Sequence, residues 1–379
     1  MRGEKLWCIL SSLVFFLSLG ACKGETPSHG GSGGSSGVGG APHGAGGHAS
    51  GGEASGPGGG ESHVLVGPTG PLNAPVPGFE DCVHADVGAD CEDGWCVLPP
   101  SCVVMGAPED EWQRGRYTGE QVAATLTHAI EIQQMEMSRA EWWEVTSVLP
   151  TGYKQEDDGK CLEDNCPINN VTWWEAITAA NLLSEQRGLT PCYEPVKCTN
   201  DLGNGLTCEG VTEPEKSVYD CEGYRLGTRA EAEYATKAGT YSTWYSGSIT
   251  VYDNLDCNFD ENLDKIAWYC FNSDDRAHPR GKKERNAFGF YDLIGNVGEW
   301  LNEEGRTTAA VGGTDPKGAV DTSGERQLFG GLYNTRAWSA CRTSDLFAAP
   351  WDFRGYRTGF RLYRTLFEDS VRSKAIVEQ

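Results

Sequence analysis

The stretch from Asn286 to Trp300 reads NAFGFYDLIGNVGEW. Its aromatic residues are interleaved with Gly, Asn and Asp, which favour turns because they adopt backbone conformations that other residues avoid. Further Gly/Asn/Asp-rich loops and short aromatic strands, such as Gly359–Tyr363, lie around it in the sequence. Helix is therefore expected to be a minority of the chain, and long loops in a compact domain need additional support.

Three helices are predicted upstream of this stretch, each from a Ser or Thr followed three residues later by Glu. The pairs are Ser138 and Glu141, Thr172 and Glu175, and Thr228 and Glu231. The second helix is expected to end at Gly188 and the third at Gly239, because glycine commonly caps a helix. Apolar residues with a 3.6-residue period predict one buried face on the second helix: Trp173, Ala176, Ile177, Ala180 and Leu183.

The composition excludes two classes of protein. The 379 residues include 54 Asp and Glu against 31 Lys and Arg, which gives a formal net charge of −23. Nucleic acid is therefore not an expected partner, because phosphate binding requires a basic surface. No apolar run of about 18 residues follows the N-terminus, which excludes a multi-span membrane protein.

The N-terminus predicts export and lipid attachment. A basic start and a short apolar stretch, Leu6–Leu19, lead to Leu19-Gly-Ala-Cys22, which is typical of a signal peptide over residues 1–21. The last four residues resemble the lipobox of bacterial lipoproteins, so Cys22 would carry a lipid that binds the membrane. The alternative is an ordinary cleavage site with a chance cysteine. Because Lys23 rather than aspartate follows, the outer membrane is favoured, in a leaflet that the sequence does not specify.

The remaining chain divides by composition into four parts. Residues 22–62 are rich in Gly, Ser and Ala and predict a flexible tether, because they cannot bury enough apolar surface to offset their backbone entropy. Residues 63–92 form a cysteine-containing N-terminal extension. The main domain is expected at 93–365, followed by a C-terminal tail at 366–379.

Fifteen cysteines indicate an oxidising compartment and a disulfide-stapled domain. Without Cys8 and Cys22 an odd number remains, so at least one is unpaired or joins two chains. Zinc is disfavoured because no Cys-x2-Cys spacing occurs. Nearest-neighbour pairing suggests Cys161–Cys166, Cys192–Cys198, Cys208–Cys221 and Cys257–Cys270, with Cys82, Cys91, Cys96 and Cys102 as a further group and Cys341 left over.

Seven blocks together resemble one known family, the formylglycine-generating, or sulfatase-modifying factor, domain. In chain order they are Val104–Glu111, Met135–Ser138, Pro167–Trp173, Tyr224–Ala235, Asn286–Trp300, Gly330–Tyr333 and Gly359–Leu362. The resemblance implies an irregular, loop-rich α+β fold related to C-type lectins. Three positions depart from the family pattern: Gly227 replaces proline, and Ala232 and Gly298 replace tryptophan. The first is expected to loosen a helix entry, and the other two to remove large rings.

The resemblance also implies a copper(I) site built from two cysteines after the Gly330-Gly331 block, with which active members oxidise a substrate cysteine to formylglycine. Counted without gaps, Thr335 and Ala340 occupy the two cysteine positions, and Cys341 lies one residue beyond the second. Copper(I) prefers soft thiolates, and one thiolate does not provide a two-coordinate site. The iron-dependent relatives need several imidazoles, and only His84, His128 and His278 follow the tether.

Members of the family also bind calcium, and Asn296, the Val297 carbonyl and Glu299 match one such site. Oxygen ligands on a tight loop suit this hard cation. The alternative is structural: Asn296 would cap a turn and Glu299 would pair with an arginine.

Two functions remain open. The first is a lipid-anchored, noncatalytic binding or scaffold protein whose ligand is a protein or a carbohydrate. The second is a copper-dependent oxidase of protein cysteines in which Cys341 is the catalytic thiol. Five aromatic residues near Cys341 could stack on a sugar ring or a peptide, or could simply pack in the core: Trp338, Phe347, Trp351, Phe353 and Tyr356.

Overall fold

The computed structural model describes residues 76–367 except for 87, 113, 115–118, 153–160, 214–216, 252–256, 306–308, 319–322 and 337–340. All described residues belong to one compact unit, Glu61–Gln379. The predicted signal peptide, Cys22 and the tether lie outside the described residues, as do Ala340, Trp338 and most of the C-terminal tail. Within the described part, no helix is long and apolar enough to cross a membrane.

The three predicted helix starts are confirmed. The described residues contain the helices α1 (Arg139–Thr146), α2 (Trp173–Gln186), α3 (Arg229–Lys237) and α4 (Glu261–Ile266), with one 3-10 turn at Val218–Asp220. Each of the first three begins with a complete capping box, in which the Ser or Thr side chain and the Glu side chain satisfy each other's backbone N–H groups. Thus the local sequence alone specifies where these helices begin.

Helix α2 is the centre of the largest apolar cluster. Its five predicted core residues are at most 7% exposed, and Trp174 and Ala179 are fully buried as well. The helix is therefore enclosed on more than the one predicted face. It ends at Gln186, and Gly188 follows with a positive φ of 71°. Helix α3 ends at Lys237, and Ala238 adopts the left-handed conformation before Gly239.

Fourteen short strands are assigned in the described residues: β1 (Cys91–Glu92), β2 (Trp95–Leu98), β3 (Ser101–Met105), β4 (Val122–Leu126), β5 (Ala129–Gln133), β6 (Glu194–Thr199), β7 (Thr207–Thr212), β8 (Tyr224–Arg225), β9 (Gly298–Glu304), β10 (Gly313–Thr314), β11 (Glu325–Phe329), β12 (Leu346–Pro350), β13 (Thr358–Gly359) and β14 (Tyr363–Leu366). Four sheets result, with strand orders β1-β2-β5-β14-β8, β10-β4-β3, β12-β11-β9-β13 and β6-β7. Helices and mainly antiparallel sheets thus form the expected loop-rich α+β fold.

The aromatic strand predicted at Gly359–Tyr363 is divided between two sheets. Gly359 ends β13, which pairs in parallel with β9, whereas Tyr363 begins β14, which pairs with β5 and β8. The residues between them are not in a strand, and the buried Arg361 side chain among them donates hydrogen bonds to the Glu299 carboxylate. This crossing joins the two sheets at the centre of the domain.

Six disulfides staple the described residues: Cys82–Cys102, Cys91–Cys96, Cys161–Cys166, Cys192–Cys221, Cys198–Cys208 and Cys257–Cys270. The predicted pairs Cys192–Cys198 and Cys208–Cys221 are therefore wrong. In the β6–β7 hairpin, Cys198 lies directly opposite Cys208. The extended strand β6 also carries Cys198 away from Cys192, because a strand advances about 3.3 Å per residue and a disulfide requires closely spaced Cα atoms.

Candidate functional site

Cys341, the free cysteine among the described residues, lies in a closed apolar cluster. Its side chain is 0% exposed and packs with Trp244, Tyr245 and Tyr269. The indole N–H of Trp244 donates a hydrogen bond to the Cys341 carbonyl, which fixes the backbone there. Burial, with a smaller contribution from Asp345, raises the pKa of the Cys341 thiol to about 12. The thiol is therefore protonated at neutral pH and buried in a cluster of aromatic and aliphatic side chains.

Thr335, at the position of the family's first cysteine, has a structural role. Its hydroxyl accepts a hydrogen bond from the backbone N–H of Leu332 at 3.2 Å, and its carbonyl accepts one from the N–H of Cys270 at 3.2 Å. The Cys341 sulfur is 3.9 Å from that same carbonyl oxygen. Thr335 and Cys341 are thus neighbours, but what faces the sulfur is a backbone carbonyl and not a second thiolate.

The described residues do not fit copper(I) at this position. Every other described cysteine is held in a disulfide, and no cluster of three or more His, Cys, Asp or Glu side chains suited to a metal occurs among the described residues. Of the histidines, His278 stacks on Trp268 with ring centroids 3.7 Å apart, and its Nε2 lies 2.8 Å from the Ser273 carbonyl. It therefore contributes to loop packing.

A buried charge network lies next to Cys341. Arg342 donates to Glu111 at 2.8 Å, and its Nε is 3.9 Å from Asp345. Both Asp345 oxygens are buried without a hydrogen-bond partner among the described residues, and burial raises the pKa of this carboxyl to about 7 despite the nearby Arg342. Since Glu111 belongs to the first family-like block, this network ties the start of the domain to the Cys341 segment.

Two of the three predicted calcium ligands, the side chains of Asn296 and Glu299, are engaged within the protein. Arg361 donates to both carboxylate oxygens of Glu299 at 2.7–2.9 Å, and both side chains are buried. The Asn296 side-chain oxygen accepts from the His278 backbone N–H at 2.9 Å, and its amide donates to Glu136 at 3.0 Å. A guanidinium beside Glu299 does not fit a divalent cation there. This arrangement corresponds to the structural alternative, and calcium at Asn296, Val297 and Glu299 stays a prediction.

Other side chains pack at Gly227, Ala232 and Gly298, the three positions where the family has a proline or a tryptophan. A Cβ on Gly227 would lie 2.5 Å from the ring of Tyr363, and one on Gly298 would lie 2.7 Å from Leu332 and 2.9 Å from Phe347. Ala232 packs tightly in an apolar cluster with Leu301, Phe329 and Leu346. Large residues from other segments therefore pack where the lost rings would lie, and α3 begins with a complete capping box directly after Gly227.

The aromatic residues near Cys341 serve largely as packing. Trp351 packs against Trp174 with ring centroids 5.1 Å apart, and Phe347 contacts the same core cluster. The Tyr356 hydroxyl donates to the Gly152 carbonyl at 2.7 Å, while Phe353 is 39% exposed. Trp338 lies outside the described residues.

A cavity that the sequence analysis missed is lined by Glu111 and by Thr243, whose hydroxyl lies 3.3 Å from Glu111. Its volume is about 730 Å³. The acidic and aromatic residues of Glu109–Trp112 are a sequence feature that could have indicated one wall of this cavity. The facing wall, Tyr241–Thr243, follows α3 and carries no comparable signature.

Comparisons with known proteins agree with this fold. Residues 89–366 match the family described as the sulfatase-modifying factor enzyme 1-like domain. The chain is 30% identical over 191 residues to Chaperone protein LppX of Paenibacillus barcinonensis, an alignment that covers 45% of this chain and only 61% of that protein.

Two solved structures resemble the domain. Treponema denticola variable protein 1 superposes with a TM-score of 0.54 and 25% identity, covering 72% of this chain and 95% of that one. PvdO from Pseudomonas aeruginosa superposes with a TM-score of 0.52 and 23% identity, covering 74% and 98%, which supports the fold alone. The matched family region spans nearly all of the described residues, and the chain therefore belongs to the sulfatase-modifying factor enzyme 1-like family.

Proposed function

We propose that this protein is a noncatalytic binding protein, anchored in the bacterial cell envelope through Cys22. The observation that carries the proposal is the burial of Cys341. A thiol acts as a nucleophile or a metal ligand only as the thiolate. A thiol with a pKa of about 12, enclosed by Trp244, Tyr245 and Tyr269, supplies neither that species nor a path to substrate.

The absence of a second described thiol near Cys341 supports the same proposal. In the family's oxidase chemistry two cysteines hold copper(I), whereas Thr335 provides here an oxygen that already accepts a hydrogen bond. Since function resides in the site rather than in the fold, a retained fold is compatible with a binding role. The partner we favour is another exported polypeptide, in keeping with the name Chaperone protein of the relative from Paenibacillus barcinonensis.

The catalytic part of the proposal is tested with purified protein, copper and oxygen. We expect no conversion of thiol to aldehyde in a peptide containing Cys-x-Pro-x-Arg, as measured by mass spectrometry. A formylglycine-generating family member with both cysteines serves as the positive control. Turnover by the wild-type chain that disappears in Cys341→Ser would establish the copper-dependent oxidase instead.

The anchoring part is tested by Cys22→Ala in the full chain. We expect the variant to lose lipid labelling and either to enter the soluble envelope fraction or to persist as uncleaved precursor. Ser18→Ala, a change within the apolar stretch of the predicted signal, is the matched control and should remain lipid-labelled. A Cys22→Ala protein that is mature, lipid-labelled and membrane-bound would disprove attachment at this residue. Fractionation of outer from inner membranes then tests the outer-membrane assignment.

A further inference from the structure

The cavity of about 730 Å³ is lined mainly by two separate segments, one that follows β3 and one that follows α3. One is Pro108–Trp112, and the other is Tyr241–Thr243. The remaining lining residues are Val76, Pro77, Gln121, Ser248 and Ile249. This volume lies within the range of about 300–1,000 Å³ that is usual for small-ligand sites. The cavity thus has room for a small molecule or for a long side chain.

The charged residues in the described part of the lining are all acidic. Glu109 and Asp110 are exposed, and no ion pair to either occurs among the described residues. Glu111 differs from them, because its carboxylate forms an ion pair with Arg342 at 2.8 Å. Among the residues that the structure describes, no Lys or Arg belongs to the lining. Two carboxylates thus remain to attract a positive charge, on a chain whose formal net charge is −23.

The other walls are suited to an apolar stem. Trp112 and Tyr241 are half-buried, and they present aromatic rings beside Pro108 and Ile249. An aromatic face attracts an ammonium or a guanidinium group through its quadrupole. The hydroxyl-bearing residues Ser242, Thr243 and Ser248 add hydrogen-bonding capacity to the lining.

We propose that this cavity binds an organic cation with an apolar stem, an ammonium or guanidinium group whose charge lies near Glu109 and Asp110 and whose stem lies along Trp112 and Tyr241. The same chemistry is offered by a free polyamine and by a Lys or Arg side chain of a polypeptide partner. This inference rests on the proposed binding function and specifies the partner's chemistry. It assigns recognition to a site that includes Glu111 but not the Cys341 sulfur.

The experiment is a calorimetric titration of the purified protein with two probes at low and high salt. The first probe is spermidine, and the second is an Ala-Lys-Ala-Lys-Ala peptide, each compared with its fully acetylated, neutral form. We expect the cationic form to bind more tightly than the neutral form and to weaken in high salt, because screening reduces the attraction between charges. If only spermidine binds, the ligand is a free polyamine. If the peptide binds, the ligand is a side chain of a polypeptide.

Glu109→Gln combined with Asp110→Asn should weaken binding about tenfold, since it removes two solvent-accessible ion pairs that each contribute modestly. Both residues are exposed, so folding should be unaffected. Glu144→Gln combined with Glu185→Gln, at exposed positions of α1 and α2, changes the net charge equally and should leave binding unchanged. Equal weakening in both double variants, equal binding of the neutral probes, or no binding would overturn the proposal.

The outcome is separate from the test of the proposed function. Aldehyde formation that depends on Cys341 would reject the noncatalytic role, whatever the titrations give. In that case, loss of cation binding in the Glu109→Gln/Asp110→Asn variant would still show that the cation binds in this cavity. Conversely, if neither cationic probe bound, the proposed cation site would be rejected, and the result of the aldehyde assay would be unaffected.

Discussion

Arg361 encloses the carboxylate of Glu299, donating to both of its oxygens from Nε and to one of them from Nη2. The two residues are 62 positions apart, and each belongs to a different family-like block. Their segments are adjacent, because Gly359 of β13, two residues before Arg361, pairs in parallel with Glu299 of β9. Arg361 also donates to the carbonyls of Gln133 and Tyr291. This ion pair therefore joins three segments at the centre of the domain.

Replacing Glu299 by Gln should lower the free energy of unfolding by about 3–5 kcal/mol, because it leaves the Arg361 charge buried and poorly compensated. Urea unfolding measures the change. Glu209→Gln breaks the exposed Lys197–Glu209 pair, in which the side chains are 71% and 67% exposed, and is the control with no measurable effect expected.

The same proteins test calcium. The ion-pair arrangement predicts identical melting temperatures for the wild type in EDTA and in calcium. A calcium-dependent rise in the wild type that is lost in Glu299→Gln would instead support a bound calcium at this turn, since a ligand stabilises the folded state that binds it.

The local parts of the structure could be predicted from the sequence, whereas the long-range pairings could not. A capping box lies within four residues, so Ser138, Thr172 and Thr228 specify helix starts without tertiary information. The pairing of Glu299 with Arg361 depends instead on β9 and β13, which are distant in the sequence and become neighbours only in the folded chain. The cavity could not be predicted for the same reason, because its lining residues Glu111 and Thr243 are 132 positions apart in the sequence.

The disulfides show the same distinction. Cys198 pairs with Cys208 because of the register of the β6–β7 hairpin. Proximity in the sequence could not supply that register, and it therefore misassigned the partners of Cys192 and Cys221. The resemblance to the family predicted the loop-rich α+β fold, but the protection of Cys341 depends on rings from Trp244 and Tyr269, which only the folded structure places around it.

Gly227→Ala should lower the free energy of unfolding by about 1–3 kcal/mol, the usual cost of overpacking a core. The added Cβ would lie 2.5 Å from the buried ring of Tyr363, which has little room to move. Gly210→Ala is the matched control, because a Cβ at Gly210 in β7 meets nothing within 4 Å. Chemical denaturation of both variants measures the difference. Equal stabilities would show that the Tyr363 ring adjusts at no cost.

Cys341 should be inert to N-ethylmaleimide in the native protein at pH 8 and should react fully once the chain is unfolded. Two causes act together: the side chain is 0% exposed, and burial raises the pKa of the thiol to about 12, so little thiolate forms. Peptide mapping by mass spectrometry identifies the modified residue. Rapid labelling of Cys341 in the folded protein, with the disulfides intact, would show an open path to the sulfur and would favour the oxidase.

Asp345 should make the folded protein less stable as the pH rises from about 4 to about 7. Burial raises the pKa of its carboxyl from 3.8 to about 7 in the folded state, and neither oxygen has a hydrogen-bond partner in the described part of the chain. Between these values the folded state holds a proton that the unfolded state has lost, so the free energy of unfolding falls by up to about 1.4 kcal/mol per pH unit. Asp292, with a pKa of about 6, and Glu303, with a pKa of about 8, act in the same direction.

Asp345→Asn tests this contribution because it keeps the shape of the side chain and removes the titration. Urea unfolding at pH 5 and at pH 7 should give a smaller decrease in stability for the variant than for the wild type. Glu144→Gln, at an exposed position of α1, should retain the wild-type dependence. If Asp345→Asn also retained it, the Asp345 carboxylate would be ionised throughout this range, and Arg342 at 3.9 Å would compensate its burial.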